Sequence, residues 1–179
     1  LALGIGRYRH PHDDAAARAY GRRVLRLRDA LRGDASKEPR PDVLDLWRAS
    51  AVLDLVAGPE SRGNYNAWYA HAHQSQVQLA DLTVREVRTL QDRLVRRNGG
   101  SAVGRYQIID DTLAGLVERL GLTGNERFTP ALQDRMAMHL ARDAGLQAWL
   151  TGALSDERFA ANLARVWAGL PGDRSDRSV

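Results

Sequence analysis

Residues 43–55 carry apolar side chains over so broad a face of a helical period (Val43, Leu44, Leu46, Trp47, Ala51, Val52, Leu55) that the helix they form has to be buried on most sides. A helix of that kind needs others around it, which points to a helical architecture with this element at its centre. Pro41 sits where a first helical turn accepts proline, so the helix is expected to open there. Gly58-Pro59 is expected to stop it, because Pro59 has no N–H and disfavours helical geometry at the residue before it. One carboxylate, Glu60, follows at once. At a helix C-terminus the unpaired carbonyls disfavour its ionised form, and apolar neighbours act the same way. A carboxylic acid kept protonated near neutral pH suits general acid catalysis. The loop after it, with Tyr65, Asn66 and Trp68, offers stacking faces and an amide suited to sugar rings.

The rest of the chain supplies the other helices. Asp13 or Asp14 caps a run through Gly33, with Ala17, Tyr20, Val24, Leu27 and Leu31 on one face and Arg18, Arg22 and Arg26 on the other. Thr83 and Glu86 form a capping box ahead of Val84, Val87, Leu90 and Leu94, in a helix ending at Asn98-Gly99-Gly100. The short Gly-rich stretch from Asn98 to Gln107 is expected to be a small β-hairpin. Helical runs follow at 110–120, 130–144, 146–152 and 155–169, with Pro130 and Ser155 marking starts. The fold class expected is mainly α, with one small β element.

Composition narrows the function classes. The chain of 179 residues is 44% hydrophobic and 27% charged, ordinary for a globular domain with a core. No apolar run reaches the length of a membrane span. Without cysteine there is no disulfide framework and no thiolate chemistry. The formal charge of +4 comes entirely from residues 1–48, which hold 11 Lys or Arg against 7 Asp or Glu. That basic segment suits an anionic wall polymer, an acidic surface or a protein partner. No RNA-binding aromatic signature or zinc-finger spacing points to nucleic acid. His10 with His12, and His71 with His73, are pairs lacking the further ligands a metal site requires, so neither a metal nor another cofactor is expected.

Four stretches, in order, resemble the phage lambda endolysin family, lysozyme-like muramidases that cleave peptidoglycan glycan strands. They are Glu60-Ser61-Arg62-Gly63, Ala102-Val103-Gly104-Arg105-Tyr106-Gln107, Phe128-Thr129-Pro130-Ala131-Leu132-Gln133-Asp134, and Val166-Trp167-Ala168-Gly169-Leu170-Pro171. The resemblance covers roughly residues 45–172; residues 1–40 and 74–98 have no clear counterpart. It implies a lysozyme-like fold with a helical lobe beside a small β-hairpin lobe. It also implies that Glu60 is the catalytic acid/base at the bond between N-acetylmuramic acid and N-acetylglucosamine. In the lambda-like enzymes the muramyl C6 hydroxyl attacks, leaving a 1,6-anhydro product.

That route needs one carboxylate where ordinary glycosidases need two. Asp81, Asp110 and Asp111 are the nearest candidates for a second, and each sits where an Asp caps or favours a helix start. A lytic transglycosylase is therefore the favoured expectation. A hydrolytic muramidase, a chitinase-like hydrolase and a catalytically silent wall-binding module of the same fold are the alternatives. Substrate-binding candidates are Ser101, Gly104, Arg105, Tyr106 and Gln107 in the hairpin, with Tyr65, Asn66 and Trp68 after the acid. Phe128 and Trp167 are expected in the core. The expected organisation is a basic helical extension over 1–40, open to an envelope or phage protein partner, a catalytic domain over 41–172 and a polar tail over 173–179. The protein is expected to act as a monomer in the periplasm or outside the cell, whether exported or delivered there by a phage.

Overall fold

The computed structural model describes Arg22, residues 41–69 and residues 77–170. The expected helix over 13–33 (Arg22, itself helical, excepted), the four histidines His10, His12, His71 and His73, and the tail from Gly172 lie outside the described residues. The described chain is mainly helical: α1 (Pro41–Ser61), a 3-10 turn (Leu79–Asp81), α2 (Val84–Asn98), α3 (Asp110–Arg119), α4 (Pro130–Asp143), α5 (Leu146–Leu150) and α6 (Asp156–Val166). It forms two compact units, one over Glu60–Met136 and one from the flanking segments, up to Pro59 and from Ala137.

Several boundaries follow the local chemistry. Thr83 and Glu86 complete the capping box: the Thr83 hydroxyl accepts from the Glu86 N–H while the Glu86 carboxylate accepts from the Thr83 N–H at 2.7 Å. Gly99, in the left-handed region at φ 73°, closes the same helix. Ser155 caps α6 by accepting from the Arg158 N–H.

Two expectations fail. Helix α1 does not stop at Gly58-Pro59 but runs through them to Ser61. Proline's ring clashes with the N–H and the Cβ of the preceding residue, and Gly58, having no Cβ, removes the second of these clashes. Both residues are also exposed, so the ring projects to solvent. The helix ends instead where Arg62 and Gly63 both take positive φ, 55° and 83°. The second failure is the β-hairpin. No strand occurs among the described residues. Val103 and Ile108 exchange two backbone hydrogen bonds, of 3.1 and 2.9 Å, around the turn Gly104–Gln107, and Trp68 makes an isolated bridge to Val103. The pairing stays at isolated bridges between the helix ending at Asn98 and the helix beginning at Asp110.

In the unit over Glu60–Met136, Leu79, Val84, Val87, Leu94, Val103, Leu113, Leu116 and Phe128 are buried. The other unit buries Trp149, whose ring stacks on Phe159 at 4.6 Å and whose indole N–H donates to Asp156 at 2.8 Å. Trp167 and Phe128 are core residues, as expected.

Candidate active site

Glu60 lies in the last turn of α1 and is part-exposed. Its neighbour Ser61 is fully buried, and its hydroxyl donates to the Arg105 carbonyl oxygen at 2.7 Å. That single bond ties the end of α1 to the turn Gly104–Gln107 across 44 residues of sequence. Two of the four resembling stretches therefore meet.

The third joins them through adjacent side chains at the start of α4. Gln133 is fully buried; its Oε1 accepts from the Arg105 N–H at 2.9 Å, while its Nε2 donates to the Phe128 carbonyl at 3.0 Å and the Tyr65 carbonyl at 3.2 Å. Gly104, at φ 75°, comes so close to the Gln133 carboxamide that no Cβ would fit. Asp134 gathers the aromatics. The Tyr65 hydroxyl donates to its two oxygens at 2.9 and 3.0 Å, and the Tyr106 hydroxyl donates at 2.6 Å. The Arg105 Nη1 lies 3.7 Å from the same carboxylate and donates to the hydroxyls of Tyr65 and Tyr106 at 2.8 and 3.2 Å. Its guanidinium also sits 5.0 Å from the Tyr65 ring centroid. Burial first, and then the Asp134 carboxylate, push the hydroxyls of Tyr65 and Tyr106 above the ordinary phenol range. Both remain protonated donors at neutral pH.

These bonds decide what the expected binding residues can offer. Tyr106 is fully buried and has no ring face for a sugar; the stacking role fails because its hydroxyl is drawn inward to Asp134. Ser101 is buried and exchanges hydrogen bonds with Asp110, donating to its carboxylate at 2.7 Å and accepting from its N–H at 3.1 Å. Gly104 makes its close approach to Gln133 rather than to an open face. Arg105 has the acidic partner Asp134 inside the protein. Asn66 stitches its loop to the 3-10 turn, donating to Gln78 at 2.9 Å and accepting from the Ala80 N–H at 3.4 Å. Tyr65, part-exposed, has its hydroxyl engaged but its ring partly open. Trp68 is part-exposed beside Val103. Gln107 is part-exposed at φ 46°, a left-handed conformation rare outside glycine, and donates its amide to the Gly104 carbonyl at 2.9 Å. Glu60, Tyr65, Trp68 and Gln107 are the part-exposed side chains of this region that combine an acid, a carboxamide and aromatic rings.

Gln133 and Asp134 belong to the third resembling stretch, but residue type alone assigns them no role. Their signal was there: a Gln-Asp pair in the first turns of a helix, where a carboxylate can reach back to side chains of an adjoining loop. Of the acids considered as a second carboxylate, Asp81 and Asp111 are exposed and Asp110 holds Ser101. No grouping of three or more His, Cys, Asp or Glu suited to a metal occurs among the described residues. The fourth resembling stretch belongs to the other unit, where Trp167 and Leu170 are buried.

Comparison with known proteins gives one family. The sequence profile described as Endolysin matches residues 51–179, more than two thirds of the chain. Neither a curated protein nor a solved structure matches the chain.

Proposed function

The chain belongs to the endolysin family, phage-encoded enzymes that break down the bacterial cell wall, and from that premise we propose that it is a lytic transglycosylase acting through Glu60. The family makes peptidoglycan its substrate; the bond and the chemistry are the part proposed. The observation that carries the proposal is the Ser61–Arg105 hydrogen bond, which holds the helix end bearing Glu60 against the turn bearing Gln107. An acid in the helix end and a carboxamide in the turn, with Trp68 bridged to Val103 beside them, put the groups this chemistry needs on adjoining segments.

Glu60 in its acid form gives its proton to the oxygen linking N-acetylmuramic acid to N-acetylglucosamine as that bond breaks. The Glu60 carboxylate so formed then accepts the proton of the muramyl C6 hydroxyl as O6 bonds to C1. The product is 1,6-anhydromuramic acid, no water is consumed, and Glu60 ends protonated as it began. Gln107, whose carboxamide oxygen accepts nothing from the described residues, is suited to orient an acetamido N–H or the attacking hydroxyl. The engagement of Asp110 by Ser101, and of Asp134 by two tyrosines and Arg105, supports a route that uses one carboxylate. No helix among the described residues is long and apolar enough to cross a membrane.

Mass spectrometry of soluble fragments from purified peptidoglycan tests the chemistry. Fragments ending in anhydromuramic acid are expected, and reducing ends one water heavier would make the enzyme a hydrolase. Glu60→Gln is expected to stay folded and lose at least about a hundredfold in rate. Substantial turnover by that variant would refute the acid role.

A further inference from the structure

Helix α2 presents Arg85, Arg88 and Asp92 along one stripe, at i, i+3 and i+7. All three side chains are exposed, and none makes a hydrogen bond or ion pair with any described residue. They line a cleft of about 240 Å³ whose other lining includes Val84, Val117 and Thr123. The wall facing them is well built. The loop 123–126 is fastened to the first turn of α2 by bonds from the Val84 and Arg85 N–H groups to the Glu126 and Gly124 carbonyls, both 2.9 Å. Within the loop, the Glu126 carboxylate accepts from the N–H groups of Thr123 and Gly124 at 3.0 and 2.9 Å. The donors of the helix start are thus used up, and so is the carboxylate of the loop. What the cleft offers a ligand is two guanidinium groups, one carboxylate, a hydroxyl and an apolar floor.

We propose that this cleft is a binding site for a zwitterionic amino-acid head group, with Arg85 and Arg88 taking its carboxylate and Asp92 its ammonium. Two arginines alone would suit any small anion, but a carboxylate on the same stripe opposes a simple anion and favours a ligand carrying both charges. The volume lies below the range of drug-sized pockets, which fits a terminal group rather than a sugar ring. Valine side chains suit the aliphatic stem behind such a head. Given the family's substrate, the matching group is the uncrosslinked end of a diaminopimelate side chain in a peptidoglycan stem peptide. This inference rests on peptidoglycan being the substrate, and it adds a contact to the peptide apart from cleavage of the glycan.

The test uses the full chain as Glu60→Gln, so that binding is read without turnover, with L-alanyl-γ-D-glutamyl-meso-diaminopimelate as probe in calorimetry. Saturable binding is expected. Arg85→Ala and Arg88→Ala should each weaken it by about tenfold or more, the scale of one charge-assisted contact. Asp92→Asn should weaken the tripeptide but not an analogue whose terminal ammonium is acetylated. Absence of saturable binding at millimolar tripeptide, or indifference to both arginine variants, would overturn the proposal. Tighter tripeptide binding by Asp92→Asn would overturn it too, leaving a plain anion site. Cleavage of peptide-free glycan strands by otherwise unaltered chains carrying Arg85→Ala or Arg88→Ala should match the parent. If those strands are cleaved while the tripeptide fails to bind, the glycosidase reading stands and the peptide site falls.

Discussion

Gln133→Leu separates a structural account of this site from a coincidence of contacts. Leucine keeps much of the volume of the buried side chain and removes its three hydrogen bonds, to Arg105, Phe128 and Tyr65. The Arg105 N–H loses its acceptor in a buried position, at a cost of about 1–3 kcal/mol. The two carbonyls lose a donor each, roughly 1 kcal/mol apiece, with the 3.2 Å bond to Tyr65 contributing less. The apolar gain of the leucine offsets about 1 kcal/mol of this. The net expectation is a loss of about 2–4 kcal/mol, or a melting temperature lower by roughly 6–12 °C. Urea denaturation followed by circular dichroism reads the first figure and a thermal melt the second. Gln133→Glu adds a signed control. Its carboxylate can still accept from Arg105, but it faces two carbonyls in a buried place, so its folded pKa rises above the unfolded value. Such a group contributes its stability below the unfolded pKa and loses it as pH rises through the folded one. The Glu variant should therefore weaken from mildly acid to neutral pH while the Leu variant does not. A Gln133→Leu protein within about 0.5 kcal/mol of the parent would refute the reasoning.

Gly104→Ala combines a positive φ with the missing room beside Gln133 and should cost about 2–4 kcal/mol by urea denaturation. Thr83→Ala removes one half of the capping box and should cost about 1 kcal/mol, read as a melting temperature lower by roughly 3 °C. Glu126 is held at a pKa of about 2, first by the Thr123 N–H, against an ordinary value of 4.5. Its contribution is present above 4.5 and lost as pH falls through about 2, so the acid-side decline in urea midpoint should be shallower in Glu126→Gln over that window. Because the carboxylate is open to solvent, salt should shrink the difference.

What could be read from the sequence was mostly local. The Thr83–Glu86 box, the closing Gly99 and the Ser155 cap each involve partners within a few residues, and each is present in the structure. Gly58-Pro59 misled because part of the usual penalty before proline is a clash with the preceding Cβ, which glycine lacks. The binding residues were harder to read for a different reason. Residue type shows that tyrosine, serine or arginine can meet a sugar, but not whether folding has already used the polar group. Tyr106 and Tyr65 are claimed by Asp134 from 28 and 69 residues away. Nothing in the spacing of Gly104-Arg105-Tyr106-Gln107 announces that bond. Glu60 lies in the last turn of α1, close to the helix end at which its place in the sequence put it.

The missing β-ladder and the two buried glutamines are one phenomenon. A turn this tight leaves backbone groups that strands would ordinarily satisfy, and here the backbone pairing is limited to isolated bridges from Val103 to Ile108 and to Trp68. Gln91 of α2, fully buried, donates to the Ser101 and Ile108 carbonyls at 3.0 Å each, and Gln133 of α4 accepts from the Arg105 N–H on the other side. Side-chain amides from two helices thus satisfy backbone groups that the bridges to Trp68 and Ile108 leave over. A ladder constrains a strand along its length, whereas these bonds fix individual atoms of the turn to rigid elements. That is the stronger constraint where Gln107 is held at φ 46° and Ser61, next to Glu60, is bonded to the carbonyl between them. Glu60 and Gln107 are each one residue from such a fixed atom: Ser61, whose hydroxyl holds the Arg105 carbonyl of the turn, and Ile108, whose carbonyl accepts from Gln91 of α2.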